Sequence, residues 1–321
     1  MIIVTGALGF IGSCVAKELN NQGREDIIIV DETKDDKSSK YFSELKYIRY
    51  YEKNDFLNTL DNLEDVELII HMGACSATTE TNEKYLIETN LEYSKTIYNW
   101  CVKNNCRLIY ASSAATYGDG SLGYNDDESK MKYLKPLNMY GMTKKMFDDY
   151  VLDSRKPKQW VGLKFFNVYG PNEYHKGSMS SVIFHSFNQI KKEQKVKLFK
   201  SYKNSIRDGE QKRDFIYIKD ILSVIHFFID NPEKNGIYNV GTGKARTFKD
   251  LVIATFKSLN INPNIEYIEM PETLKGKYQY FTEANMEKLR SIGYDKQFYS
   301  LEEGVRDYVI NYLDKGLKNY D

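Results

Sequence analysis

Among the 26 tyrosines of this chain, only Tyr140 is followed four residues later by a lysine, Lys144. On a helix, positions i and i+4 share one face, so this spacing brings an ammonium close to a phenol. A neighbouring cation favours the phenolate. It draws a tyrosine down from its ordinary pKa of about 10 toward the range in which general-base chemistry runs. Upstream, an apolar segment ends in Ser112-Ser113, and the Ser113 hydroxyl, carried to the same place by a strand, would hydrogen-bond the same substrate oxygen. Ser113, Tyr140 and Lys144 together describe a site that takes a proton from an alcohol and can give it back.

Such chemistry needs somewhere for a hydride to go, and the N-terminus offers it. Met1-Ile-Ile-Val-Thr5 is a short apolar run, followed by Gly6-Ala-Leu-Gly9-Phe10-Ile11-Gly12 and a helical pattern through Val15 and Leu19. Strand, glycine turn and helix in that order bring backbone N–H groups against a pyrophosphate, which the helix N-terminus favours electrostatically. A second apolar run, Ile27 to Val30, ends in Asp31, where an acid suits a ribose hydroxyl. Lys144 would then hold its ammonium under a nicotinamide ribose. Glu32 and the lysines 34, 37, 40 and 53 leave the choice of dinucleotide open, because lysines neutralise a 2′-phosphate as point charges whereas Asp31 and Glu32 repel it.

Composition narrows the remaining choices. The chain has 321 residues, 41% hydrophobic content and 45 basic against 45 acidic side chains, enough for a large core or two lobes. A formal net charge of zero and a pI near 6.9 give no general drive toward nucleic acid or membrane. Met1-Ile-Ile-Val-Thr5 runs into the glycine turn with no charged leader before it, and no apolar stretch approaches the roughly 20 residues of a membrane span. A cytoplasmic protein is expected. The four cysteines (14, 75, 101, 106) form no C-x-x-C pair and are read as reduced and mostly buried. The four histidines show no metal-ligand spacing.

The elements that position these residues follow from alternation. Strands are expected at 1–5, 27–31, 68–72, 107–112 and 160–165, with helices at 10–22, near 53–60, near 83–104 and near 138–154. That rhythm predicts an α/β fold: a Rossmann-type doubly wound parallel sheet with helices on both faces. After Pro171 the pattern changes to Ser/Lys-rich loops, a helix near 178–192 and short strands. A dinucleotide-binding domain at 1–167 and a smaller, mainly substrate-binding domain at 168–321 are expected, interleaved by returning segments near 214–245.

The glycine turn with Asp31, Ser113, Tyr140 and Lys144 resembles the extended short-chain dehydrogenase/reductases. Further runs narrow the likeness: Gly73-Ala-Cys-Ser76, Tyr110-Ala-Ser-Ser-Ala-Ala-Thr-Tyr-Gly118, Lys135-Pro-Leu-Asn-Met-Tyr140, Phe166-Asn-Val-Tyr-Gly-Pro171, His175-Lys-Gly-Ser-Met179, Lys212-Arg-Asp-Phe215 and Leu274-Lys-Gly-Lys-Tyr-Gln279. These are similar to the ADP-L-glycero-D-manno-heptose 6-epimerase family, nearly end to end. The resemblance implies inversion at C6″ of an ADP-heptose for the lipopolysaccharide inner core, with bound NADP (NAD possible) oxidising and re-reducing one carbon, in a homo-oligomer of the family's pentameric kind. It implies Lys176 as the second acid/base; composition alone would leave Lys176 a solvated lysine. Cofactor contacts are implied at Gly6, Gly9, Phe10, Ile11, Gly12, Asp31, Glu32, Lys37, Lys53, Met72, Gly73, Ala74, Cys75, Ser76, Asn90, Lys144, Val168 and Lys176. Substrate contacts fall on Asn167, Ser178, His185, Phe199, Lys200, Ser201, Tyr202, Arg213 and Tyr278. Arg213 suits a diphosphate, since its planar fork donates two hydrogen bonds. His185, beside Val182, Ile183 and Phe184, reads equally as a core histidine.

Three positions depart from the family's pattern. Glu32 stands where asparagine is common, Met72 where glutamate is frequent, and the stretch Lys200 to Gln211 is longer than usual. A dehydratase of the same superfamily is disfavoured, because Ala114-Ala115-Thr116 holds no carboxylate pair. A non-catalytic dinucleotide sensor would not need Ser113, Tyr140, Lys144 and Lys176 together.

Overall fold

In the computed structural model, which describes residues 1–32, 43–272 and 279–321, short apolar runs form the centre of the molecule. Strands β1 (Ile2–Thr5), β2 (Ile27–Asp31), β3 (Arg49–Glu52), β4 (Leu68–His71), β5 (Arg107–Ser113) and β6 (Gln159–Phe165) succeed one another with helices between most of them. Then come β7 (Asn167–Tyr169), β8 (Val196–Phe199), β9 (Lys212–Arg213), β10 (Phe215–Tyr217), β11 (Gly236–Val240), β12 (Arg246–Thr247) and β13 (Ile265–Ile268). Seven strands make one sheet in the order β11-β6-β5-β4-β1-β2-β3, every pairing in it parallel. The expected doubly wound α/β fold is the one the chain adopts.

Parallel strands need crossover connections, which cover both faces of the sheet with helices, so the central strands read as unbroken apolar runs. Ile2, Ile3, Val4, Leu68, Ile69 and Ile70 are fully buried. Alternate residues serve opposite faces. Ile2, Val4, Ile29 and Ile70 pack with the helices Phe10–Asn21 and Ile218–Asp230, while Ile3, Ile28 and Ile69 pack with Tyr93–Lys103 and Met139–Asp153. The strand order reverses beside β1, so the carboxyl ends of β1 and β4 open a crevice, the usual ligand position in such sheets.

Two expected helices differ in form. The run near 83–104 is Glu83–Leu86, a π-helical turn Ile87–Glu92 and Tyr93–Lys103. The run near 178–192 is two pieces: a 3-10 turn Tyr174–Met179 containing Gly177 at φ 57°, then the helix Val182–Glu193. Ser181 divides them, because its hydroxyl caps the second piece by accepting from Phe184 N–H. Of the later segments, β11 joins the main sheet beside β6, and β10 pairs with β7 outside it. Cys14, Cys101 and Cys106 are buried thiols and Cys75 is half-buried. Among the described residues no helix is long and apolar enough to cross a membrane.

Candidate active site

The glycine turn closes on itself tightly enough to exclude side chains. Gly6 takes φ +67°, and a Cβ there would lie 2.6 Å from Gly73 N, in the loop after β4. At Gly12, in the first turn of the helix, a Cβ would lie 2.0 Å from the Gly6 carbonyl oxygen. The N-cap residue of that helix, Gly9, supplies no side-chain cap, leaving N–H groups of the first turn to face an anion. Asp31, at the end of β2, accepts hydrogen bonds from Leu8 N–H (2.6 Å) and Glu32 N–H (2.7 Å), tying the second strand to the turn. Glu32 forms an ion pair with Lys53 at the start of the helix Lys53–Thr59. Burial pushes the Lys53 ammonium down, opposed by Asp31 and Cys75.

The loop after β4 is held from behind by a one-way chain of hydrogen bonds. Gly73 N–H donates to Thr5 Oγ1 (3.2 Å), which leaves the threonine proton for His71 Nδ1 (2.6 Å). His71 Nε2–H then donates to Ser94 Oγ (2.8 Å), whose proton goes to the Asn90 carbonyl (2.8 Å). The Asn90 side chain, in the π-helical turn, accepts from Cys75 N–H (2.8 Å) and donates to Cys75 C=O (3.0 Å). Asn90 thus shapes the 72–76 loop and does not line the cleft. Burial, with Lys144 nearby, lowers the His71 pKa from 6.5 to about 3. A depressed histidine stabilises the fold fully above pH 6.5 and loses that contribution as pH falls through the window toward 3, because the unfolded chain takes up the proton first. Between pH 7 and pH 5 this should cost roughly 2 kcal/mol at about 1.4 kcal/mol per pH unit. Urea unfolding at the two pH values measures the loss, and His71→Gln should lack that part of it.

The proton-handling wall is built by β5 and the helix Met139–Asp153. Asn138 caps this helix through Gly141 N–H (2.8 Å). Gly141 lets it come close to the end of β5, since a Cβ there would sit 2.7 Å from the Ala115 carbonyl oxygen. Tyr140 and Lys144 therefore face Ser113 within one cleft. The Lys144 ammonium, 4% exposed, donates to the Ala111 carbonyl (2.8 Å), and burial brings its pKa down to about 8 against the pull of Asp148. Burial pushes the Tyr140 phenol above the ordinary value, opposed by the hydrogen bond with Ser113.

One turn further, Asp148 gathers a network that sequence reasoning missed. Its carboxylate accepts from Ser112 Oγ (2.7 Å), Tyr110 OH (3.1 Å) and Lys164 Nζ (2.5 Å), and Lys164 also donates to Thr116 Oγ1 (2.7 Å). Lys164 and Asp148 are each 1% exposed. A lysine among the apolar residues of β6 (Gln159–Phe165) was the available signal, since a fully buried lysine is paired.

The same cleft is lined by Asn167, Val168, Lys176, Met179, Arg213 and Phe248, and its volume is about 840 Å³, within the range of small-molecule sites. The Lys176 ammonium lies over the Phe10 ring, 5.4 Å from its centroid, and burial pushes its pKa down, opposed by Glu173. Arg213 donates to the Lys212 carbonyl (2.9 Å) and lies over the Phe248 ring. The cleft brings together the glycines, Phe10, Ile11, Asp31, Glu32, Met72, Gly73, Ala74, Ser76, Ser113, Tyr140, Lys144, Asn167, Val168, Lys176 and Arg213. Lys53, Cys75 and Asn90 stand behind its wall. Ser178 is exposed outside it, and His185 lies partly buried beside the Phe184 ring. Phe199 to Tyr202 follow β8 away from the cleft: Lys200 pairs with Glu269 at 2.6 Å, and Ser201 N–H donates to Asp208. Lys37 and Tyr278 lie outside the described residues. Phe248, Leu251, Gln279 and Thr282 line the cleft without having been singled out.

Known proteins match this arrangement. Residues 2–241 fit the NAD dependent epimerase/dehydratase family. The ADP-L-glycero-D-manno-heptose-6-epimerase of Fusobacterium nucleatum is 52% identical, with 98% of each chain covered, and that of Brachyspira hyodysenteriae is 46% identical over 96% of each. The crystal structure of the Helicobacter pylori ADP-L-glycero-D-manno-heptose-6-epimerase superposes with a TM-score of 0.81 at 28% identity, covering 97% of this chain and 95% of that one. Sequence along nearly the whole length and fold agree, and the chain belongs to the NAD dependent epimerase/dehydratase family and, within it, to the ADP-L-glycero-D-manno-heptose 6-epimerases.

Proposed function

We propose that this enzyme inverts C6″ of ADP-D-glycero-D-manno-heptose through a transient ketone, in lipopolysaccharide inner-core precursor synthesis, and that its dinucleotide is NADP. One observation carries the reading: a single cleft is lined by Ser113, Tyr140, Lys144 and Lys176 together. The chain's residues fit a dinucleotide, because the glycine cradle admits no side chain at Gly6 or Gly12 and Asp31 stands at the end of β2 beside it. When bound, the nicotinamide dinucleotide supplies a hydride acceptor and donor, so no second redox substrate is needed.

The chain's own residues divide the proton work. With the sugar in one pose, Tyr140 exchanges a proton with the C6″ oxygen while Ser113 holds that oxygen by a hydrogen bond. With C6″ turned to present its other face, Lys176 exchanges the proton. Removing the stereocentre on one face and restoring it on the other inverts the carbon. Arg213 holds the diphosphate. Substrate carrying deuterium at C6″ should give product that keeps the label, read by mass spectrometry; label lost to solvent would sink direct return of the hydride.

NADP is supported by Lys53, whose ammonium pairs with Glu32, a residue that lines the cleft. Titrating both dinucleotides into stripped protein should show NADP binding more tightly, and Lys53→Ala should weaken NADP more than NAD. Tighter NAD binding would mean that the Asp31 and Glu32 carboxylates decide.

A further inference from the structure

We propose that Glu173 is a positioning residue for the second acid/base, a buried carboxylate that fixes the turn carrying Lys176 and serves as counter-ion to its ammonium. The inference rests on the reading of Lys176 as the group that handles the proton at the second face.

Glu173 is fully buried, and burial pushes its carboxyl up, opposed by the Ser181 hydrogen bonds and by Lys176. Its backbone carbonyl accepts from Lys176 N–H (3.0 Å), closing the turn Tyr174–Met179, and from Ser180 Oγ (3.1 Å). Its carboxylate accepts from Ser181 N–H at 2.5 Å on one oxygen and from Ser181 Oγ at 2.6 Å on the other. Both oxygens therefore act as acceptors, the pattern of an ionised carboxylate. The buried Tyr308 hydroxyl faces the same group from the π-helical turn Tyr308–Leu313.

One residue thus ties both ends of the 174–181 segment. Gly177, at φ 57° with open space where a Cβ would be, allows the chain to reverse between Lys176 and Ser181. The result is an ammonium held over the Phe10 ring at the cleft wall, on a loop that would otherwise be free to swing. Helix Phe10–Asn21 offers Lys176 an uncharged ring, and Glu173 opposes the fall that burial imposes on it; the other titratable groups beside the pair are Tyr308, which faces Glu173, and His175, which lines the cleft next to Lys176. The Glu173 charge favours the protonated lysine, while burial favours the neutral one. Their balance suits a group that must both give and take a proton.

The test is the pH profile of kcat in both directions of the epimerisation for the wild type, Glu173→Gln and Lys176→Met. Gln keeps the shape and removes the charge. Loss of the anion makes Lys176 more acidic, so the limb belonging to Lys176 should move down by about one pH unit or more, ascending where the lysine acts as base and descending where it acts as acid. The limb belonging to Tyr140 should stay in place, kcat should fall, and KM should change little. A merely structural glutamate would lower the amplitude at every pH or raise KM without moving a limb, and that outcome overturns the proposal. Full activity with an unmoved profile overturns it as well. Should Glu173→Gln fail to fold, Glu173→Asp withdraws the charge by one methylene. It should give a smaller shift in the same direction, and no shift would again overturn the inference. Lys176→Met separates the two layers: if it epimerises normally, the reading of Lys176 itself fails, whereas its inactivity beside an unmoved Glu173→Gln profile condemns only the role of Glu173.

Discussion

Replacing Tyr140 by Phe should lower the epimerisation rate by about 10² to 10⁴, the usual contribution of a positioned acid/base group, while leaving the fold and dinucleotide affinity close to wild type. The half-buried ring lines the cleft at the start of the helix Met139–Asp153, and its hydroxyl bonds Ser113, so Phe removes the proton carrier and keeps the ring. Deleting the neutral hydroxyl forfeits its hydrogen bond with Ser113, a contribution of about 0.5–1.5 kcal/mol at most. The variant should therefore unfold at the same temperature as the wild type or slightly below it. Rates on ADP-heptose, followed by separating the two epimers, decide the matter, and a loss under tenfold would take Tyr140 out of the mechanism.

Lys176→Met should be as damaging, about 10² to 10⁴ in rate, and for a reason that distinguishes this enzyme from reductases that work on one face. Methionine keeps a flexible apolar chain of similar length and removes the ammonium that lies over the Phe10 ring, so binding of ADP-sugar should change little. Proton exchange at the second face is what disappears. With Tyr140 intact, chemistry at one face should continue, visible in a single turnover as a nicotinamide absorbance change without inverted product. Near wild-type epimerisation by Lys176→Met would leave Tyr140 as the sole acid/base and return Lys176 to a phosphate-binding or solvated role.

Much of the site could be read from local pattern. Strands such as Ile27–Asp31 are legible because burial on both faces leaves an unbroken apolar run, and the glycine turn is legible because its spacing follows directly from a close backbone approach. The pair Tyr140 and Lys144 could be found because a helix converts sequence spacing into shared position. Lys176 could not, since nothing within four residues of it reveals that Glu173 is buried or that Phe10 lies beneath it; only a run resembling a family drew attention to it. His71 looked like one of four scattered histidines, as its partners Thr5 and Ser94 come from other elements. The helix expected from 178 begins at Val182 because a serine cap and a glycine with positive φ outweigh the general polarity pattern there.

The cradle that Gly6 and Gly73 form together has a consequence for how the enzyme is made. Its halves come from the ends of β1 and β4, paired at Thr5 and His71, and so it does not exist in a chain that has only its first strand, helix and turn in place. A dinucleotide cannot gather on the nascent N-terminus; it meets a binding site only after β4 has docked. From that moment it acts as a ligand of the native state alone, worth about 2.7 kcal/mol at a free concentration one hundred times its dissociation constant. Against the 5–15 kcal/mol typical of whole proteins, that is a large share, and the cell's nicotinamide pool becomes a determinant of how long each enzyme molecule escapes proteolysis.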